Sequence, residues 1–254
     1  MIKLPSRGTL EGKVALLTGA VRRNGLMSAL ALAGDGASIV INTLKSVEQG
    51  EKAVAKIKNA GGKAIFIQAD ITDEAQVKGM FKKAVDEFGS VDILVNNAAD
   101  RVGMPFLETS YINWQHYAYH VISGAFLCSQ QAIPLMQKAG WGSIVNIAGI
   151  NMYVGTPERE TLCVAKGGLV ALTKSVAREF AEQNIRVNAV SPGRIGGERS
   201  ASADPKDASR VAEVPVGRQG YLEEVAETVR WLCQPSQGFI TGQTIHVNGG
   251  EYMP

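Results

Sequence analysis

Lys166 is the one charged residue of the stretch TLCVAKGG (161–168), at the start of an amphipathic pattern. Leu162, Ala165, Leu169, Leu172, Val176 and Phe180 mark one helical face, and Lys166 lies one turn beyond Leu162. An ammonium there is placed to act on a polar group one turn away, yet Leu162 offers it none. A second signal is VALLTGAVRRNGL (14–26), a glycine-rich turn between an apolar run and a helical pattern. Gly19 permits a tight turn, and a helix starting near Gly25 aims its free N–H groups at an anion, so this is a candidate phosphate-binding turn. His116 and His120 have the i, i+4 spacing of a metal pair, but no third ligand lies nearby in sequence and no metal is expected. Asp100 and Arg101 follow the fourth apolar run and are candidates for substrate contact, with a solvated loop pair as the alternative. Cys163 adjoins Leu162, but helix phasing turns it away, as suits a packed thiol rather than a nucleophile.

The bulk numbers narrow the setting. In 254 residues, 45% are apolar and 20% charged, enough to build a sizeable core and too apolar for disorder. A net charge of +2 without a long basic run argues against nucleic acid as a partner. The three cysteines are odd in number and widely spaced, which fits a reducing compartment and not a disulfide framework or zinc site. The start, MIKLPSRGTLEGK, lacks the apolar core of a secretory signal, and no run of eighteen apolar residues exists. These features predict a soluble, cytoplasmic protein without a membrane partner.

The elements that must position these residues alternate along the chain. Strands are predicted at Val14–Thr18, Ser38–Asn42, Ala64–Ala69, Ile93–Asn96, Ser143–Ala148, Arg186–Val190 and Thr244–Val247. Helices are predicted at about 25–34, 47–60, 73–88, 111–139, 158–182 and 221–234, with Pro134 expected to kink or stop the fourth. Strand–helix alternation implies right-handed crossovers and a parallel sheet covered on both faces. No linker or short repeat interrupts it, so residues 1–254 form one doubly wound α/β domain, with 193–220 as a candidate substrate lid.

Six ordered segments make the chain resemble the short-chain dehydrogenase/reductase family over about residues 10–252. They are LEGKVALLTGA, QADITD, ILVNNAA, GSIVNIAG, IRVNAVSPG and GFITGQTIHVNGGEYM. The resemblance implies a single Rossmann-like seven-stranded parallel sheet with helices on both faces. It also implies a nicotinamide cofactor held by Thr18, Gly19 and Gly25, with Asp70 and Ile71 flanking the adenine. Asn96 and Ala98 would meet the adenosine ribose, Pro192 and Gly193 the nicotinamide, and Lys166 the nicotinamide ribose. Family members commonly form tetramers or dimers through their paired long helices, here 111–139 and 158–182, so a homo-oligomer is expected. The turn reads Thr18-Gly19-x-x-x-Arg23-x-Gly25 and is similar to that of the pteridine-reductase branch, which prefers NADPH. The second strand ends in INTLKS without the acidic residue that grips a ribose 2′-hydroxyl. Arg22, Arg23, Lys45 and Ser46 are instead candidates for a 2′-phosphate, so NADP(H) is expected over NAD(H).

The chemical end departs from the family. Its members use a tyrosine as the acid, a lysine four residues later, a serine thirteen residues before the tyrosine and an asparagine on the middle helix. Lys166 matches the lysine, but Leu162 stands at the tyrosine, Gly149 at the serine and Val121 at the asparagine; Gly197 replaces a threonine that commonly meets the carboxamide. No tyrosine lies between Tyr153 and Lys166, so no shift of alignment restores the acid. Tyr153 is a candidate surrogate acid, with packing or a lid role as the alternative, and Tyr117 lies one turn before Val121. Three readings follow. The first is a reductase of a small molecule that does not need the tyrosine acid, such as an iminium or activated C=C. The second is a non-redox enzyme performing cyclisation, elimination or isomerisation. The third is a catalytically silent nucleotide-binding member.

Overall fold

Seven short apolar runs rich in Val, Ile and Leu become a parallel sheet because both of its faces are covered. The computed structural model describes residues 10–100, 102–196 and 213–254. Its strands are β1 (Val14–Leu17), β2 (Ser38–Thr43), β3 (Ala64–Gln68), β4 (Ile93–Asn96), β5 (Gly142–Ile147), β6 (Ile185–Pro192) and β7 (Thr244–Val247). They pair in the order β3-β2-β1-β4-β5-β6-β7, every pair parallel. The helices are α1 (Arg23–Gly34), α2 (Val47–Asn59), α3 (Glu74–Phe88), α4 (Tyr111–Ala139), α5 (Asn151–Val154), α6 (Glu160–Phe180) and α7 (Leu222–Leu232).

Alternation along β1 shows how the layers form. Ala15 and Leu17 pack with Ala29 and Leu32 of α1, Ile57 of α2 and Val229 of α7 in one core cluster. Val14 and Leu16 turn the other way, into a cluster with Phe81 of α3, Met136 of α4 and Ala177 of α6. Because β1 pairs with both β2 and β4, the strand order reverses there and opens a crevice at the carboxyl ends of the strands. The glycine-rich turn and the segment after β4 both lie at that reversal.

Two local expectations change. Helix α4 runs through Pro134 to Ala139 and ends at Gly140, whose φ is +68°. Pro134 and Gln130 are both exposed, a setting in which water can satisfy the carbonyl that the proline leaves without an N–H partner, so the expected early stop does not occur. The four-residue α5 was not expected, because one turn is too short to show a helical period. No helix among the described residues is long and apolar enough to cross a membrane.

Candidate functional site

The nucleotide end is built from backbone that tolerates no side chain. Gly19 has φ +58°, and a Cβ there would meet Ala98 Cα at 2.8 Å. A Cβ on Gly25 would lie 2.7 Å from both Ala20 Cα and the Asn97 amide nitrogen. Asn97 donates through Nδ2 to the carbonyls of Thr18 (3.0 Å) and Gly19 (2.9 Å), while Thr18 Oγ1 accepts from the N–H groups of Asn97 (3.1 Å) and Ala98 (3.2 Å). The turn is thus tied to the end of β4, and Asn97 does the tying. Sequence reading passed over it for Asn96, although both belong to the same NNAA segment.

Helix α1 starts at Arg23, and no side chain caps its first turn. That end of the helix suits an anion, and the glycine cradle leaves room for a close-lying pyrophosphate. The residues present therefore fit a dinucleotide. Arg23 adopts φ +49° where the resembled family has glycine, a conformation costing about 1–2 kcal/mol in a residue with a Cβ. Its Nη2 donates to the Ile195 carbonyl at 2.9 Å, bridging the crevice to the segment after β6. Arg23, expected near a 2′-phosphate, has this backbone carbonyl as a partner of one guanidinium nitrogen. Arg22 and Lys45 are exposed, and Ser46 is half-buried before α2.

Further along the crevice, Asp70 Oδ1 accepts from the N–H (2.8 Å) and hydroxyl (2.7 Å) of Thr72, shaping the turn after β3. Ile71 is buried against Gly124 of α4, where a Cβ would lie 2.3 Å from its Cδ1. The side chain of Asn96, a residue expected at the adenosine ribose, has protein partners. It is buried and donates to Asn146 Oδ1 at 2.8 Å, and Asn146 donates to Thr173 Oγ1 at 2.8 Å. It ties β4 through β5 to α6. Pro192 ends β6, and Gly193 donates to the Val247 carbonyl at 3.0 Å, with room for no Cβ beside Asn248 at 2.7 Å.

At the chemical end, Lys166 is buried on α6 and its Nζ donates to the Ile147 carbonyl at the end of β5. Leu162 is half-buried one turn earlier. A Cβ on Gly149 would meet nothing within 4 Å, so the serine position is open space. Val121 packs with Ala125, Ala165 and Leu169 between α4 and α6. None of these three side chains can donate a proton. Tyr153 of α5 stacks on Tyr252 (centroids 4.6 Å) and meets His246 edge-on (4.9 Å), so its ring belongs to an aromatic cluster with β7 and the chain end. Tyr117 packs edge-on against His116 at 4.9 Å. Cys163 donates to the Asn151 carbonyl at 3.2 Å and burial pushes its thiol up; Cys128 and Cys233 are pushed up to about 12 by burial.

Burial holds the His246 imidazole below its ordinary value of 6.5. The folded state therefore favours the neutral ring, and the unfolded chain takes up the proton first as pH falls. Stability from this group is present above 6.5 and is lost on acidification below it. The thermal midpoint of the wild type should fall more than that of His246→Gln when pH drops from about 7.5 to about 5.5. Equal falls in the two proteins would remove His246 as the cause.

The two ends of the candidate lid are joined: Ile195 bridges to Gly220, and Gly196 donates to the Gly220 carbonyl at 2.9 Å. Arg194 pairs with Glu251 and Glu213, each at 2.8 Å. Gly197, the rest of the lid to residue 212, and Arg101 lie outside the described residues. Asp100, 16 residues before His116, and the i, i+4 pair His116 and His120 bring their ligand atoms within 4.8 Å of one another.

Residues 19–251 match the family model described as enoyl-(acyl carrier protein) reductase. A 3-oxoacyl-[acyl-carrier-protein] reductase of Staphylococcus aureus is 38% identical over 242 residues, covering 95% of this chain and 98% of the relative. The corresponding reductase of Synechocystis is 36% identical over 245 residues, covering 96% and 98%. A solved doubly substituted short-chain dehydrogenase/reductase of Serratia marcescens superposes with a TM-score of 0.89 at 32% identity, over 96% of this chain and 99% of that one.

Proposed function

The chain belongs to the short-chain dehydrogenase/reductase family, and from that premise we propose that it is an NADP(H)-dependent reductase with a non-standard active site. One observation carries this reading: the cofactor cradle and Lys166 are kept, while Leu162, Gly149 and Val121 supply no acid. When bound, the nicotinamide supplies hydride. The chain's own residues then position the acceptor and exclude water, and they need not deliver a proton beside Lys166.

That division selects the substrate class. Hydride addition to a neutral ketone builds up alkoxide charge, which needs a donor in place; a positioned acid contributes roughly 10²–10⁴-fold. An iminium already carries positive charge and becomes a neutral amine. An activated C=C spreads the added charge and takes its proton from water. The 3-oxoacyl thioesters named for the relatives are ketones, and this site offers them no acid. The preference for NADP(H) rests on the absence of an acidic residue after β2 and on Arg22, Lys45 and Ser46 around that edge.

The test is NADPH and NADH binding by fluorescence, then nicotinamide absorbance with a cyclic imine, an enone and a 3-oxoacyl thioester. NADPH should bind more tightly and be oxidised with the imine or enone, the 3-oxoacyl thioester remaining inert. Failure to bind either nucleotide would end the proposal. Product formation without any absorbance change would move the protein to the non-redox class.

The setting is proposed with it: a homo-oligomer, dimer or tetramer, in the reducing cytoplasm. Tyr111, Ile112 and Phe126 of α4 and Val164 of α6 are apolar and exposed, as suits paired helix faces. All three cysteines are free thiols.

A further inference from the structure

We propose that Asp100, His116 and His120 form a site for a divalent transition-metal ion of the zinc class. The sequence shows no third ligand close to this pair of histidines, and the fold supplies one. Asp100 follows β4 and both histidines lie on α4, yet one ligand atom from each sits within 4.8 Å of the others. The imidazole rings are 5.9 Å apart by centroid, on successive turns of one helix face. The chain contains three histidines, and two of them meet here.

The donor set decides the ion. Two imidazoles and one carboxylate suit zinc and its first-row neighbours, whereas calcium and magnesium call for oxygen-rich shells. Ligand bonds of about 2.0–2.2 Å place the donors of a tetrahedral ion roughly 3.3–3.6 Å apart. Closing from 4.8 Å requires a shift of about 1–1.5 Å, within rotamer reach because Asp100 and His116 are exposed. The helix holds two donors in fixed register, and the ion links them to the connection after β4. Three protein ligands leave at least one coordination position open to a lone-pair donor. Asp100 and His116 are exposed, so water reaches that position.

The experiment uses untagged, chelator-stripped full-length protein, titrated with Zn²⁺ by calorimetry and with Co²⁺ by visible absorption. Trp114 on the same helix, stacked with Tyr111 at 6.2 Å, reports Co²⁺ by quenching. One equivalent should bind, and Asp100→Ala, His116→Ala and His120→Ala should each weaken it at least roughly 10–100-fold, the loss that even outer-shell partners cause. His246→Gln should bind as the wild type does. Absence of saturable binding, or binding indifferent to all three alanine variants, overturns the site. NADPH binding measured on the same stripped samples separates the two proposals: its loss would sink the reductase and leave the metal, and the reverse holds equally.

Discussion

Leu162→Tyr combined with Gly149→Ser should turn this protein into a ketone reductase, raising kcat/KM for a 3-oxoacyl thioester by roughly 10²–10⁴-fold. The positions can accept both residues. Leu162 is half-buried one helical turn before Lys166, so a phenol there would project from the same face as the buried ammonium. A phenol of ordinary pKa about 10 is a poor proton carrier near neutrality, and a neighbouring ammonium favours its phenolate. Gly149 lies at the end of β5 with open space where a Cβ would go, so a serine hydroxyl enters without displacing anything. Leu162→Tyr alone should recover part of the gain and Gly149→Ser alone almost none, because the serine positions an oxygen and the tyrosine moves the proton. If the double variant folds, binds NADPH and still leaves ketones untouched, the shape of the pocket and not the missing acid is what bars that chemistry.

Gly19→Ala should weaken NADPH binding by about 100-fold or more, which corresponds to about 2.7 kcal/mol. Two independent costs meet at this residue. Its φ of +58° penalises any Cβ, by about 1–2 kcal/mol. The added carbon would also press on Ala98 Cα at 2.8 Å and Ala98 Cβ at 2.9 Å. Backbone cannot rotate away as a long side chain can, so the turn or the end of β4 must move and the Asn97 ties go with it. Gly61→Ala separates the costs: its φ is +89°, but nothing lies within 4 Å of the added Cβ. It should lose a little stability and keep full nucleotide affinity. Equal nucleotide binding by Gly19→Ala and the wild type would mean that this turn is not the phosphate cradle.

Legibility followed the range of the forces involved. The seven strands were readable to within two residues at either end because a doubly covered parallel sheet demands short, continuous apolar runs. The glycine-rich turn was readable because its requirement, a positive φ directly after a strand, is local. The positions Leu162, Gly149 and Val121 were singled out by resemblance to the family's motifs, which fix their places relative to Lys166 and to Gly124 and Phe126. Helix α5 escaped because a single turn has no period. Arg23 was assigned by residue type to a phosphate, and its bond to the Ile195 carbonyl, 172 residues away, could not be read from any local pattern.

By itself, then, the sequence determined the doubly wound sheet, the glycine-rich turn after its first strand and the absence of an acid one turn before Lys166, all matters of period and short spacing. Only the tertiary structure decided which side chains meet. The crossovers turned Asn96 inward to Asn146 and set Asn97 on the turn. They stacked Tyr153 on Tyr252, and they carried Asp100 to the histidines of α4. Residues at the carboxyl ends of different strands converge because the strands run parallel, and no local pattern states which of their side chains will touch.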